Sequence, residues 1–489
     1  MGDPDLLKRL IDPLRDALAA ALAAHGLTPA QVTTLVELLD VAGVAGIGAV
    51  SAPLAARLQA AASRSADRSA AAAAPIAIAG LAAAGLLGWI LSHPVPQLLD
   101  LFRRWDHVVF SALAGGVLAA VPRAIRTWAL TLLSIAFIWQ YCGPVATPIV
   151  MGASLVAFAT LGWRAGNRGA GNAFVLPLLG IAVYSVCWHL RRTAFFDALQ
   201  TFGLFSFVFL RQISAAVTLS GSARPAFGSY LCYLTFYPGG FGLVGGPEVY
   251  SDFARRNLGD QLHHDPARAA RGVGWGALQI WVASQISISP AALYDSPTML
   301  AGWGNSLLMF VHTALAAMGA WSMVDAIALF YGFRLHPNFR AILTRQNPSE
   351  LWWAWRGTFT NWLVRHVYAP LGANQRHQSA NIAAAFAVSW LWHAVGIPFL
   401  GKEFTLFHLA PITTWAAVNA TAVVAHVQAQ RYGLRILPAS TPAPLRRAIH
   451  ILLTACLGTL SVTLLQCYGD LVTRFVPFVR LLVGLPMRP

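Results

Sequence analysis

The chain has 489 residues, 57% of them hydrophobic and only 11% charged, against about 25% charged in soluble domains. Its mean hydropathy is +0.58, and apolar runs of roughly twenty residues recur, so composition excludes an ordinary soluble domain and implies a polytopic membrane protein. The net charge of +15 sits in short loops between those runs, as in LFRRWD, RLHPNFR and RRAIH, where it suits anionic lipid rather than nucleic acid.

Residues 1–70 stand apart. The stretch DLLKRLIDPLRDALAAALAAHGLTPAQVTTLVELLD has amphipathic helical spacing and mixed charge, with a helix start at Thr28-Pro29. It lacks the basic, apolar and small-residue order of a secretion signal. AAASRSADRSAAAA then reads as a linker, so 1–70 is expected to be a non-spanning helical segment and 71–489 the membrane domain. Candidate spans follow near 74–92, 107–121, 127–142, 145–162, 173–190, 195–218, 272–290, 305–331, 381–400, 406–426 and 447–467, about ten to twelve in all. The stretch 226–246 is apolar but broken by Pro and Gly, as a re-entrant segment would be. The tail 470–489 reads as interfacial. No repeat of 20–50 residues signals a solenoid or an inverted-repeat transporter.

The longest break, 333–380, holds NPSELWWAWRGTFTNWLVRHVYAPLG. Asn347-Pro348-Ser349-Glu350 reads as a helix start. Trp352, Trp355, Phe359 and Trp362 recur at helical spacing and predict one aromatic face, with Arg356, Asn361 and Arg365 elsewhere on the helix. A segment so rich in Trp and Arg belongs at a membrane boundary.

Few residues can carry chemistry. His393 lies in the apolar stretch AAFAVSWLWHAVGIPF, with Ser389 and Gly396 on the same helical face and Pro398 ending or kinking the helix. It is either a structural histidine bonded to a carbonyl or a functional one lining a chamber. Asp325, with Ser322 three residues before it, needs a cation or several donors, and a structural ion pair is the favoured reading. Arg356 and Arg365 cannot act as bases. They either anchor headgroups or hold phosphate, carboxylate or an oxyanion. His263, His264 and Asp265 lack further ligands at useful spacing and read as a solvated loop, not a metal site. None of the five cysteines falls in a CxxC or Cys/His pattern. No GxSxG, Walker or GxGxxG motif supports a serine hydrolase, nucleotide hydrolase or dinucleotide enzyme.

The order FYPGGFGLVGGPEVYSDF, SMVDAIALFYGFRLHPNFR, NPSELWWAWRGTFTNWLVRHVYAPLG and NIAAAFAVSWLWHAVG resembles the membrane-bound O-acyltransferases. It is nearest in style to the bacterial members that help O-acetylate alginate or D-alanylate teichoic acids. The likeness is clearest over about residues 230–400.

The resemblance implies an all-α integral membrane fold, a ring of tilted helices around a thin centre pierced by a tunnel, in a bacterial cytoplasmic membrane. It implies an enzyme that moves an acetyl or other acyl group from acyl-CoA or an acyl carrier protein to a hydroxyl of an exported glycan or envelope molecule. No bound cofactor is implied. An extracytoplasmic transferase often serves such members as partner. A lipid or protein acceptor is the first alternative, and a non-catalytic transporter or scaffold the second.

The family histidine matches His393, as general base or positioning residue, preceded by Trp392. Arg356 stands where the family usually has His, Asn or Asp, and would orient donor or acceptor. Asn361 is a candidate substitute, although five residues place it about 140° round a continuous helix. Trp355, Tyr368 and Trp392 would line the chamber together with Ser389, Arg365 and His366 would contact donor phosphates, and Asp325, Ala326, Ile327 and Gly332 match the acetylating members. Glu248 departs from the family's usual apolar residue.

Overall fold

A computed structural model describes scattered residues between 115 and 159, then 198–219, 225–236, 246–258, 263, 265–286, 298–396, 405–466 and 476–482. The described residues form helices and connecting segments, with no strand among them. The N-terminal segment 1–70 and the expected spans at 74–92 and 173–190 lie outside them, and 107–121, 127–142 and 145–162 are described only in part.

In chain order the helices are α1 (Ala198–Leu219), α2 (Phe227–Thr235), α3 (Tyr250–Asn257), α4 (Pro266–Gln285), α5 (Met299–Phe330), α6 (Pro348–Trp355), α7 (Gly357–Leu363), α8 (Gln378–Gly396), α9 (Leu406–Arg431), α10 (Ala443–Gln466) and α11 (Val476–Leu482). A π-helical turn, Val364–Tyr368, extends α7. Two described helices, α5 and the Ala443–Leu465 part of α10, are long and apolar enough to cross a membrane. With 32 residues, α5 measures about 48 Å, more than the roughly 30 Å of a hydrocarbon core.

Helices α4 and α5 pack closely because glycine meets glycine. A Cβ on Gly276 would lie 2.8 Å from the Gly319 carbonyl oxygen, and one on Gly319 would lie 2.8 Å from that of Gly276, the small-residue contact by which membrane helices approach. Near the start of α4, Arg268 reaches Asp325 at 3.2 Å, an ion pair of the kind a partly buried carboxylate requires. Asp265 caps α4 by accepting from Arg268 N at 2.9 Å, and His263 Nε2 donates to the Arg256 carbonyl at 3.0 Å. Those roles are structural, whereas His264 lies outside the described residues. An aromatic core of Tyr233, Phe236, Phe253 and Phe333 joins α2 and α3 to the segment after α5.

The Trp-rich segment starts as its sequence predicts. Asn347 Oδ1 accepts from Glu350 N at 2.9 Å, and Glu350 Oε1 accepts from Asn347 Nδ2 at 2.6 Å, a reciprocal cap. The expected single helix with one aromatic face is corrected, however. Arg356, at φ −141° and ψ 60°, ends α6, and α7 starts afresh at Gly357. The chain packs closely at this break: a Cβ on Gly357 would run into the Pro337 carbonyl oxygen. The break sends the aromatic residues in different directions. Trp352 meets Trp415 edge-on at 5.5 Å, Trp355 stacks near Phe310 at 6.2 Å, and Phe359 packs on Trp392 at 5.5 Å.

Candidate active site

A cavity of about 360 Å³ lies between α6–α7 and the π turn on one side and α8 and α9 on the other. Its floor is one face of α8, where Gln378, Ile382, Phe386, Ser389 and His393 follow one another at spacings of three or four. From Gln378 to His393 that face runs about 22 Å. The middle of the cavity is apolar, walled by Leu363, Val364, Ala385, Val423, Val427 and Leu465.

His393 stands near the inner end. Its Nδ1 lies 2.8 Å from the Ser389 carbonyl oxygen. A carbonyl only accepts, so Nδ1 carries the proton of the neutral ring and Nε2 carries the lone pair. Aromatic rings hold the imidazole in place: Trp392 crosses it edge-on with centroids 4.6 Å apart, and Trp415 lies 5.0 Å away. Trp392 is itself seated against Phe207 of α1 at 5.8 Å.

Arg356 lines the same cavity. Its guanidinium sits over the Phe339 ring at 5.4 Å, and its Nη1 is buried with no acceptor. Burial draws its pKa down to about 10, so it stays cationic at neutral pH. Trp352 and Trp415, also lining residues, each bury an indole N–H without an acceptor. Buried donors normally find partners. Three unmet donors around one cavity therefore describe a wall suited to an oxygen-bearing ligand.

At the other end, the Tyr368 hydroxyl donates to Asn374 Oδ1, which also accepts from Gln378 Nε2 at 2.9 Å.

The structure thus brings together Trp355, Arg356, Tyr368, Ser389, Trp392 and His393, all of them expected site residues. Four others lie outside the cavity lining. Asn361 is buried in α7 and donates to Asp252 Oδ2 at 3.0 Å. Arg365 is half exposed and sits 3.8 Å from Asp252 Oδ1. His366 Nε2 lies 2.9 Å from Ser214 Oγ. Burial, and then the Arg365 charge, holds its imidazole below the ordinary pKa, which disfavours the cationic form that phosphate would require. Asp325 is occupied by Arg268.

Sequence reasoning missed Ser349, Asn374, Gln378, Phe386 and Trp415 as wall residues. The Ser389–His393 spacing, continued backwards by helical steps, would have reached Phe386, Ile382 and Gln378. It also missed a buried network at α3. There buried Glu248 is paired with Arg256 and accepts from His336 N at 2.6 Å. Burial pushes the Glu248 carboxyl up, against the pull of Arg256. Burial, and then Arg256, holds His336 down to about 4.

No protein-family model matches the chain. It is similar to proteins named probable alginate O-acetylase AlgI. The one from Pseudomonas syringae pv. tomato is 22% identical over 206 residues, 40% of this chain and 39% of that protein. That of Pseudomonas fluorescens is 21% identical over 238 residues, 46% and 48% respectively. That of Azotobacter vinelandii is 27% identical over 112 residues, 22% of each. The chain spans less than half the length of these curated relatives. The similarity supports the O-acyltransferase resemblance without singling out a member.

Proposed function

We propose that this chain is a multi-pass membrane acyltransferase of about ten to twelve spans that moves an acetyl or other short acyl group from a thioester to a hydroxyl of an exported polysaccharide. The observation that carries the reading is the joint placement of His393 and Arg356 on one cavity. The partial similarity to proteins named as alginate O-acetylases supports the same chemistry.

In this mechanism the acceptor hydroxyl enters the His393 end of the cavity. Its oxygen bonds to the thioester carbonyl carbon while Nε2 of His393 takes the proton. The carbonyl oxygen becomes an oxyanion, which Arg356 or a Trp indole N–H stabilises. The C–S bond then breaks, and the proton passes from the imidazole to the departing thiolate. A thioester already carries a good leaving group, so the reaction requires no nucleophilic Ser or Cys. Apolar walls keep bulk water from the thioester.

The loops support one sidedness. Gln428 Nε2 near the end of α9 donates to Ser379 Oγ at the start of α8 at 2.8 Å, so the Tyr368–Asn374–Gln378 mouth lies beside the α9–α10 connection. That connection and the helix ends flanking it carry Arg431, Arg435, Arg446 and Arg447, with no acidic residue from 429 to 449. Basic loops face the cytoplasm, so this mouth admits the donor and the acceptor comes from the other side. Mass spectrometry of envelope glycans from cells with and without the protein tests the reading. An acyl mass increment on a polysaccharide only when the protein is present is the expected result. An increment confined to lipid or protein would move the acceptor to that class.

A further inference from the structure

The guanidinium of Arg356 has a buried Nη1 without an acceptor, and among the described residues no Asp or Glu lines the cavity with it. The described carboxylates are all engaged elsewhere. Glu248 is paired with Arg256, and Asp252 with Arg255 and Asn361. Asp265 accepts from Arg268 N, Asp325 meets the Arg268 side chain, and Glu350 accepts from Asn347. An uncompensated buried charge is strongly destabilising, so an anion supplied by a ligand is the natural complement of this cation. Arg356 is also where the chain departs from the resembling family, whose His, Asn or Asp carries no fixed positive charge.

The cation is held ready. It lies over the Phe339 ring at 5.4 Å, and stacking on a ring face leaves the in-plane N–H donors of a guanidinium free. Phe339 is itself fixed. It is left-handed at φ 43°, meets Trp355 edge-on at 6.2 Å, and is followed by Arg340, whose N donates to the Ala354 carbonyl at 3.0 Å. Left-handed conformations at non-glycine residues persist where surroundings enforce them, and they cluster at ligand clamps.

The wall around the cation narrows the ligand. Arg356 and the Trp352 and Trp415 indoles, whose buried N–H groups also lack acceptors, donate and cannot accept. An ionised carboxylate only accepts, and a short methylene chain suits the Phe359 and Phe386 rings that line the same cavity. A uronate sugar would bring ring hydroxyls whose protons these three donors cannot receive.

Resting on the acyl-transfer reading, we propose that Arg356 binds a carboxylate at the far end of the acyl group, so that the donor is the monothioester of a short dicarboxylic acid such as succinate. The acceptor oxygen bonds to the thioester carbonyl carbon and the C–S bond breaks. The acceptor proton passes by way of His393 to the thiolate, an indole N–H serves the oxyanion, and the far carboxylate is unchanged. Clamped by Arg356, that carboxylate is kept from attacking its own thioester, the internal reaction that proximity favours in a free succinyl chain. The product is a half-ester, which places a negative charge where the acceptor had a neutral hydroxyl.

The test is calorimetric titration of the full chain in lipid nanodiscs with the N-acetylcysteamine thioesters of succinate and butyrate, which differ only in a carboxylate against a methyl group. Wild type should bind the succinyl thioester about tenfold to a hundredfold more tightly, the effect of a hydrogen bond to a charged group. Arg356→Met should abolish the preference, and Arg356→Lys should restore part of it, because Lys keeps the charge and loses the fork. A ratio of affinities within one protein does not depend on the fraction that folds. Failure of wild type to bind the succinyl thioester, equal binding of the two, or a preference that survives in Arg356→Met overturns the proposal. So does binding of a methyl glucuronoside that is lost in Arg356→Met while the thioesters bind alike, which moves the carboxylate to the acceptor. The two readings fail separately. A succinyl preference without transfer to polysaccharide sinks the proposed function and leaves the carboxylate site, whereas acetyl transfer without a succinyl preference does the reverse.

Discussion

Replacing Arg356 by Met separates the stability of the fold from the chemistry of the site. Its guanidinium Nη1 is buried without an acceptor, a desolvation cost of about 1–3 kcal/mol. Its stacking over Phe339 at 5.4 Å returns roughly 0.5–2 kcal/mol. Met fills similar space with neither effect, so thermal unfolding in detergent should shift by less than about 1 kcal/mol. Activity should respond very differently. If this cation stabilises the developing oxyanion, acyl transfer should fall by about 10²–10³-fold in kcat. The assays are a thermal melt and a steady-state transfer rate on the same preparation. Loss of more than about 2 kcal/mol with full activity in the folded fraction would refute the reasoning and make Arg356 a packing residue. Arg356→His restores the side chain usual in the resembling family, and should change rate or donor preference; a non-catalytic scaffold would stay inactive.

Two more predictions concern the buried polar groups around α3. His336 is held down to about 4 from 6.5, by burial first and by Arg256 second, so folding favours its neutral ring. That stabilisation is complete above pH 6.5 and is lost as pH falls toward about 4, at most roughly 3 kcal/mol. Glu248, whose carboxyl burial raises, works in the opposite sense, and Asp252 also faces His336. The difference in melting temperature between wild type and His336→Phe across pH 4–7 isolates the histidine, and a flat difference would contradict the assignment. Asn361→Leu removes the 3.0 Å bond to Asp252 and should destabilise the protein by about 1.5–3 kcal/mol. It should leave the donor KM unchanged, and a raised KM would bring Asn361 back into the site.

Much of the site was legible in the sequence because its inner end is local. Ser389 and His393 are one helical turn apart, and their shared face is fixed by periodicity alone. The Asn347 cap was legible for the same reason. What escaped depends on distant parts of the chain. At the break after Arg356 the Pro337 carbonyl lies against Gly357, a contact that no pattern within NPSELWWAWRG reports. Asn361 was drawn from the cavity by Asp252, 109 residues away, and His366 by Ser214, 152 residues away. Trp415 joined the wall only because α9 packs beside α8. The carboxamide mouth needed the turn of Gly372 and Ala373 to bring Asn374 back over Gln378.

In the proposed reaction His393 is the base. Its most direct test compares acyl increments on envelope polysaccharide, by mass spectrometry, in cells with equal membrane levels of wild type and His393→Ala. The increment should be lost in His393→Ala while the variant keeps the wild-type melting profile. An increment at wild-type level in His393→Ala would return His393 to a structural role, its ring held by the hydrogen bond to Ser389 and by the neighbouring tryptophans.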